Sequence, residues 1–205
     1  LQVLDDLVTA GKVRYLGVSN FKAWQVMKAL GMSAAQGWAR FVAAQYQYSL
    51  VERGIEREFT SLFTSEGLGQ APWGPLGGGF LSGKYRRGER PQEGRIAVME
   101  DHTEEAWHRR ATARNWDIID AVGEIAEARE KTYPQVALAW LCAQSTVVSP
   151  IIGARTPEQL SDNLGAVGWE LTAEELVQLD EASRIEEGYP YRMMKAYGSR
   201  LGVAP

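Results

Sequence analysis

With 205 residues, 45% of them hydrophobic, the chain is long enough to bury a sizeable core and falls outside the disordered class. Its 22 lysines and arginines against 26 aspartates and glutamates leave a net charge of −4, so no basic footprint for nucleic acid is expected, and no apolar run approaches the roughly 18 residues of a membrane span. The single cysteine, Cys142, excludes an internal disulfide; inside the apolar run QVALAWLCAQ it is expected as a small core residue, and a reducing, cytoplasmic compartment fits that usage.

In chain order, LQVLDDLVTAGK places Leu1, Leu4, Leu7 and Val8 at helical spacing and closes on Gly11 and Lys12, a helix stop. The pattern is already amphipathic at Leu1, so the chain is expected to open partway through a helix. VRYLGVSN is the first predicted strand, AWQVMKAL the helix after it, and ARFVAAQYQYS, with β-branched and aromatic content, the second strand. IEREFTSLFTSEG repeats the helix-then-glycine pattern, and LGQAPWGPL is a short third strand leading into GGGFLSGKY. Residues 86–103, rich in Arg, Glu, Gly and Pro, read as a long polar loop of the lid or insertion kind. WDIIDAVGEIAEARE and PQVALAWLCAQ follow as helices, the second with Pro134 in its first turn. TVVSPIIGA is the fourth predicted strand. TPEQLSDNLGAV starts a helix with Thr156 as N-cap and Pro157 at the first helical position, and TAEELVQLDEASR repeats that signature with Thr172 as cap.

Four near-continuous apolar strands, each followed by helix, call for a parallel sheet covered by helices. A doubly wound sheet and a (β/α)₈ barrel both satisfy that rule. No G-x-G-x-x-G joins a strand to a helix, and polar residues recur at the C-terminal ends of all four strands, where a barrel builds its active site, so the barrel is favoured. A barrel has eight strands and typically about 250 residues, and only four strands are legible.

The strand ends present Ser19 and Asn20, then Gln45, then Trp73 with Gly74, then Gly153 with Arg155. Asn20 and Gln45 each donate and accept, which recognition of a planar carboxamide requires, and Trp73 offers a flat face for stacking on an aromatic ring. GPLGGGFLSGK supplies backbone N–H groups free of Cβ hindrance, with Lys84 as a point charge, and Arg155 precedes a helix N-terminus that favours a phosphate. One amide-bearing ring and several phosphates describe a nicotinamide dinucleotide. Each element also has a plainer role: Ser19 and Asn20 as helix caps, Gln45 as a partner for buried backbone, Trp73 as filling, the glycines as a flexible loop, and Arg155 in a pair with Glu158 or Asp162. Four consecutive strand ends of one character favour the joint reading.

GKVRYLGVSNF, PWGPLGGGFLSGKY, QVALAWL and PIIGARTPEQLSDNLGA resemble, in that order and over nearly the whole chain, blocks of the aldo-keto reductases. The resemblance implies a (β/α)₈ TIM-barrel fold whose fifth to eighth strands these are, so that residues 1–205 form one partial domain holding only the C-terminal four βα units. It implies NADP(H) as cofactor, bound without a Rossmann motif. Ser19, Asn20 and Gln45 match the positions that hold the carboxamide, and Trp73 matches the aromatic that stacks on the nicotinamide. Gly74, Pro75, Leu76, Gly77, Gly78 and Lys84 match the segment covering the pyrophosphate. Gly153, Arg155, Gln159, Asp162 and Asn163 match the positions gripping the 2′-phosphate and adenine.

The family's catalytic Asp, Tyr, Lys and His lie on strands that precede this stretch, so no catalytic residue is assigned here, and no metal site. His102 and His108 fall in or beside the polar loop and read as solvated; Tyr46 and Tyr48 belong to the second strand. Gly74 stands where the family commonly has Ser, and Gln70 where an aliphatic is usual, so Gln70 needs a buried partner. The full protein is expected to reduce small aldehydes or ketones, with no nucleic-acid or membrane partner, and with its own N-terminal half or a second copy covering the open sheet edges at 13–18 and 147–153. Two other readings stay open: a non-catalytic nucleotide-sensing protein, as in the family's potassium-channel β-subunit branch, and an inactive truncated fragment. The tail residues Tyr189, Tyr191 and Met193 line a pocket or simply pack.

Overall fold

Hydrophobic periodicity sets three parallel strands against a layer of helices. A computed structural model describes residues 1–201. β1 (Leu16–Ser19), β2 (Phe41–Gln45) and β3 (Gly69–Gln70) form one sheet in the order β1-β2-β3. Leu16 pairs with Phe41, Val18 with Ala44 and Ser19 with Gln45; Ala44 pairs in turn with Gln70. Along β1 burial alternates, with Leu16 and Val18 buried and Gly17 and Ser19 exposed, as the period-two geometry of a strand requires.

The helices are α1 (Gln2–Thr9), α2 (Ala23–Gln36), α3 (Phe59–Glu66), α4 (Trp107–Arg110), α5 (Ala113–Ala128), α6 (Tyr133–Cys142), α7 (Pro157–Leu164), α8 (Ala173–Ser183) and α9 (Tyr191–Leu201). Two cores result. Leu16, Val18, Phe41 and Ala44 meet Val26 and Leu30 of α2 and Leu62 and Phe63 of α3, with Leu1, Leu4 and Val8 packed partly against them. Phe80, Trp116, Ile118, Val122, Val136, Trp140 and Leu179 form the other, around α5, α6 and α8. Ile55, partly buried, packs against both. Arg53 ties the segment after β2 to α8: it donates to Glu56 at 2.7 Å, to Asp180 at 2.6 Å and to the Ser183 hydroxyl at 2.7 Å.

Several expectations are met at atomic detail. Thr156 accepts from the Gln159 N–H as N-cap of α7, and Thr172 with Glu175 forms a capping box on α8. Others are corrected. The predicted fourth strand at 147–153 is not one: a bridge between Gln70 and Val147, and the bonds from Val148 N–H to Gln70 and from Ile151 N–H to Pro72, hold it beside β3. Pro150 has no N–H to continue the ladder. Cys142 is exposed rather than in the core, because it falls on the last, outward turn of α6. The polar loop holds a one-turn helical segment, Ile96–Val98, whose Ile96 is wholly buried in the second core. The tail forms α9, which the sequence reading did not anticipate; the Tyr191 hydroxyl donates to Glu58 at 2.7 Å. Tyr189 and Tyr191 border a cavity of about 540 Å³ with Arg57 and Glu186, and no predicted cofactor residue lines it. Among the described residues no helix is long and apolar enough to cross a membrane.

Candidate functional site

The C-terminal ends of the strands gather the first set of predicted residues. Register alone sets Ser19 beside Gln45, both on the exposed face. Asn20 turns the chain out of β1 with φ 57°, in the left-handed region that Asn tolerates better than most residues, and its Oδ1 accepts the Trp73 indole N–H at 3.3 Å. Trp73 is fixed from its backbone as well: its N–H donates to Tyr46 and its carbonyl accepts from Tyr48. The capping alternative for Ser19 and Asn20 does not occur, since α2 starts after Lys22, whose N–H donates to Gln25 at 2.9 Å. Gln45 is exposed, and its side chain bonds no backbone group among the described residues.

Beyond Trp73 the chain turns sharply through Gly74, Pro75, Leu76, Gly77 and Gly78. Gly74, Gly77, Gly78 and Gly79 all have φ between 56° and 93°. At Gly77 a Cβ would come within 2.6 Å of Val51, so only glycine fits both the angle and the space. Lys84 follows, its ammonium 4.9 Å from the Tyr85 ring centroid.

Two residues that the sequence reading did not single out complete this end. The carboxylate of Glu105, which is buried, stands against the loop: its Oε1 lies 3.3 Å from where a Cβ on Gly74 would be, and its Oε2 pairs with Arg95 at 2.7 Å. Gln47 is buried beside Gly74 with its Nε2 unpartnered among the described residues. Period two carries the row from Gln45 to Gln47 in QYQYS, so Gln47 was findable. Nothing in EDHTEEAW marks Glu105.

The second set runs from just before α7 along that helix, joined to the first through the Ile151–Pro72 bond. The Arg155 N–H donates to Gln159 Oε1 at 2.9 Å, and Asn163 donates to the Gly153 carbonyl at 3.4 Å. The Arg155 side chain is exposed and forms no ion pair with Glu158 or Asp162. Asp162 is engaged elsewhere: its Oδ1 accepts from Thr132 at 2.9 Å and from Gln135 at 3.1 Å, clamping α7 to the N-terminus of α6. Backbone and Thr156 hydrogen bonds at the α7 N-terminus hold the Glu158 carboxyl below its ordinary value, the mark of a helix end that favours anions.

The buried tyrosines are not poised to give up a proton near neutrality. Burial pushes Tyr46 up to about 12, with its hydroxyl donating to the Phe21 carbonyl at 2.8 Å. Burial, with Glu56 beside it, raises Tyr48 further. His102 and His108 are exposed beside Glu100 and Asp101. Gln70, wholly buried, finds half the partner it needs: its Oε1 accepts from Thr146 at 3.1 Å, while Nε2 has none among the described residues.

Residues 1–184 match the model of the aldo/keto reductase family. An aldo-keto reductase of Fusarium vanettenii is 36% identical over 182 residues, covering 88% of this chain and 47% of its own. The norsolorinic acid reductase of Emericella nidulans is 35% identical over 190 residues, 93% of this chain and 46% of its own. The versiconal hemiacetal acetate reductase of Aspergillus parasiticus is 29% identical over 185 residues, 88% of this chain and 51% of its own. The chain thus spans about half the length of the curated relatives it matches.

Proposed function

The chain belongs to the aldo/keto reductase family, and from that premise we propose that it supplies the dinucleotide site of an NADP(H)-dependent reductase of aldehydes or ketones. The observation that carries the reading is the convergence of Ser19, Asn20, Gln45 and Trp73 at the C-terminal end of the sheet, directly before a loop of positive-φ glycines. Parallel strands with helices on one face fit the family's barrel, and the three strands, with the extended segment beside β3 and their helices, are read as its C-terminal part.

The residues fit such a cofactor. Trp73, locked by Asn20 and two backbone bonds, is a rigid stacking face for the nicotinamide. Ser19, Asn20 and Gln45 present donors and acceptors for its carboxamide, and Gln47 Nε2 is a buried donor beside the glycine loop. Gly74 to Gly78 and Lys84 cover the pyrophosphate. Arg155, with Gln159 at the α7 N-terminus and Asn163 farther along the helix bonded back to Gly153, takes the 2′-phosphate and adenine, which favours NADP(H) over NAD(H); Asp162 holds α7 in place. Glu105 opposes an approaching phosphate and is held back by Arg95. When bound, the dinucleotide supplies the hydride; the protein's part here is to hold and orient it. The proton donor is not Tyr46 or Tyr48, whose hydroxyls are already committed.

Two of the relatives are named for reducing norsolorinic acid and versiconal hemiacetal acetate; for this protein the substrate class is a small carbonyl compound. The test is consumption of NADPH by the natural protein, followed by absorbance across a panel of aldehydes and ketones. Turnover with NADPH preferred over NADH is expected, with the preference reduced in Arg155→Ala. Absence of turnover with every carbonyl would overturn the catalytic part of the reading.

A further inference from the structure

Behind the glycine loop lies a cavity of about 330 Å³ that none of the proposed cofactor residues lines. Its walls carry Arg109, Arg110 and Arg114 against two carboxylates, Glu52 and Glu104, an excess of one positive charge. Thr112 and Arg114 bring in the N-terminal turn of the 16-residue α5. Arg110 is 2% exposed, and its Nε and Nη2 have no hydrogen-bond partner among the described residues; Arg114 Nε has none either, while its two Nη atoms donate to Asn115 Oδ1 and to the Ser183 carbonyl. Arg110's nearest carboxylate, Glu52, stands 3.8 Å from Nη1, beyond hydrogen-bond length, and Glu105 and Glu104 act on the guanidinium through charge alone.

Buried guanidinium N–H groups without acceptors are costly, more so than neutral donors, so an arginine kept in this state awaits an acceptor. Burial pushes both Arg110 and Arg114 below the ordinary arginine value, and for Arg114 the neighbouring Arg53 adds to the effect. The unpartnered N–H groups belong to residues that line one cavity, which is what a multidentate oxyanion would use. The N–H dipoles of the α5 terminus act in the same sense.

We propose that this cavity is a binding site for a small oxyanion, a carboxylate or a phosphate monoester, held by Arg110 and Arg114 with Arg109 at the mouth. It is separate from the dinucleotide site but adjoins it: Arg110 Nε lies 3.9 Å from where a Cβ on Gly77 would stand. An anion bound there stiffens the floor of the glycine loop. The oxyanion is either free in solution or the acidic end of a carbonyl substrate; only this last distinction rests on the reductase reading.

The probe is inorganic phosphate, titrated by calorimetry into the natural protein saturated with NADPH, so that the dinucleotide's own phosphate contacts are already filled. One equivalent should bind. Arg110→Met should weaken binding about tenfold or more, as loss of charge-assisted hydrogen bonds implies. Glu52→Gln, which removes the nearest competing carboxylate and no hydrogen bond to Arg110, should tighten it several-fold, and this variant decides the matter if Arg110→Met does not fold. Absence of a site in the wild type, or affinity unmoved by both Arg110→Met and Glu52→Gln, overturns the proposal. If phosphate competes only with carboxylate-bearing aldehydes, the site reads the substrate's acidic end; if it alters turnover of all carbonyls alike, it takes a free anion. If NADPH itself does not bind, the same titration on the unliganded protein tests the cavity without the reductase reading.

Discussion

The two faces of the three-stranded sheet are built from the same strands and have opposite occupations. On one, Leu16, Val18, Phe41 and Ala44 are sealed under α2 and α3. On the other, Gly17, Ser19, Val42 and Gln45 are exposed, small or polar but for Val42, and the strands end beside Trp73 and the glycine loop. Apolar bulk is committed to the face that folds the chain, so the face that carries the candidate site is free to be polar at little cost in stability. Substitutions should therefore separate cleanly, stability moving on one face and dinucleotide affinity on the other.

The largest effect should come from the helix-covered face. Phe63 is 1% exposed and packs against the Tyr46 and Phe59 rings; Phe63→Ala should lose about 3–5 kcal/mol in chemical denaturation. A smaller loss there would mean that the two faces are less different than their burial implies. On the open side, Trp73→Ala should weaken NADPH roughly ten- to hundredfold by fluorescence titration, the cost of losing an aromatic stacking face. Gly77→Ala should mix the two effects. Its φ of 56° costs a side chain about 1–2 kcal/mol, its Cβ meets Val51, and the distorted loop should also bind NADPH less well.

Two weaker effects sharpen the contrast. Burial raises the Asp180 carboxyl, but hydrogen bonds from Arg53 and Arg184 outweigh it and hold the group below its ordinary value. A depressed folded value adds stability above the unfolded one, and that stability drains as pH falls through the folded value. Below about pH 4 the wild type should therefore lose stability that Asp180→Asn never had, by under about 1 kcal/mol because the pair is partly solvated. Finally, Glu105→Gln should tighten NADPH a few-fold by removing the carboxylate against the glycine loop, with a raised dissociation constant counting against the placement of the pyrophosphate there.

What the sequence made legible follows from the range of the interactions involved. The caps Thr156 and Thr172, the alternation of β1 and the glycine turn after Trp73 are set within a few residues, and each is read directly from spacing. The clustering of Ser19, Asn20, Gln45 and Trp73 followed from strand order and register. Failures sit where tertiary contact decides. Pro150 interrupts a ladder that the apolar pattern of TVVSPIIGA extends unbroken, leaving only the Val148–Gln70 and Ile151–Pro72 bonds on either side of it, and the outward turn of α6 exposes Cys142 despite its apolar neighbours. Glu105 and Arg110 were invisible because a charged stretch such as EDHTEEAWHRR looks solvated until packing buries two of its charged members at 5% and 2% exposure. Asp162, which the family resemblance implies as a cofactor contact, has a second task that spacing does not reveal: it accepts from Thr132 and Gln135 across helices, 30 and 27 residues distant in sequence.

The central claim is that the open face of this sheet holds a nicotinamide dinucleotide without contributing to the fold. Its most direct test is NADPH titration of the natural protein and of Gln45→Ala, with thermal denaturation of both. The account predicts saturable binding, weakened about tenfold in the variant, and melting temperatures that agree. Equal affinity in the two proteins, or an affinity loss matched by a large drop in melting temperature, would contradict it.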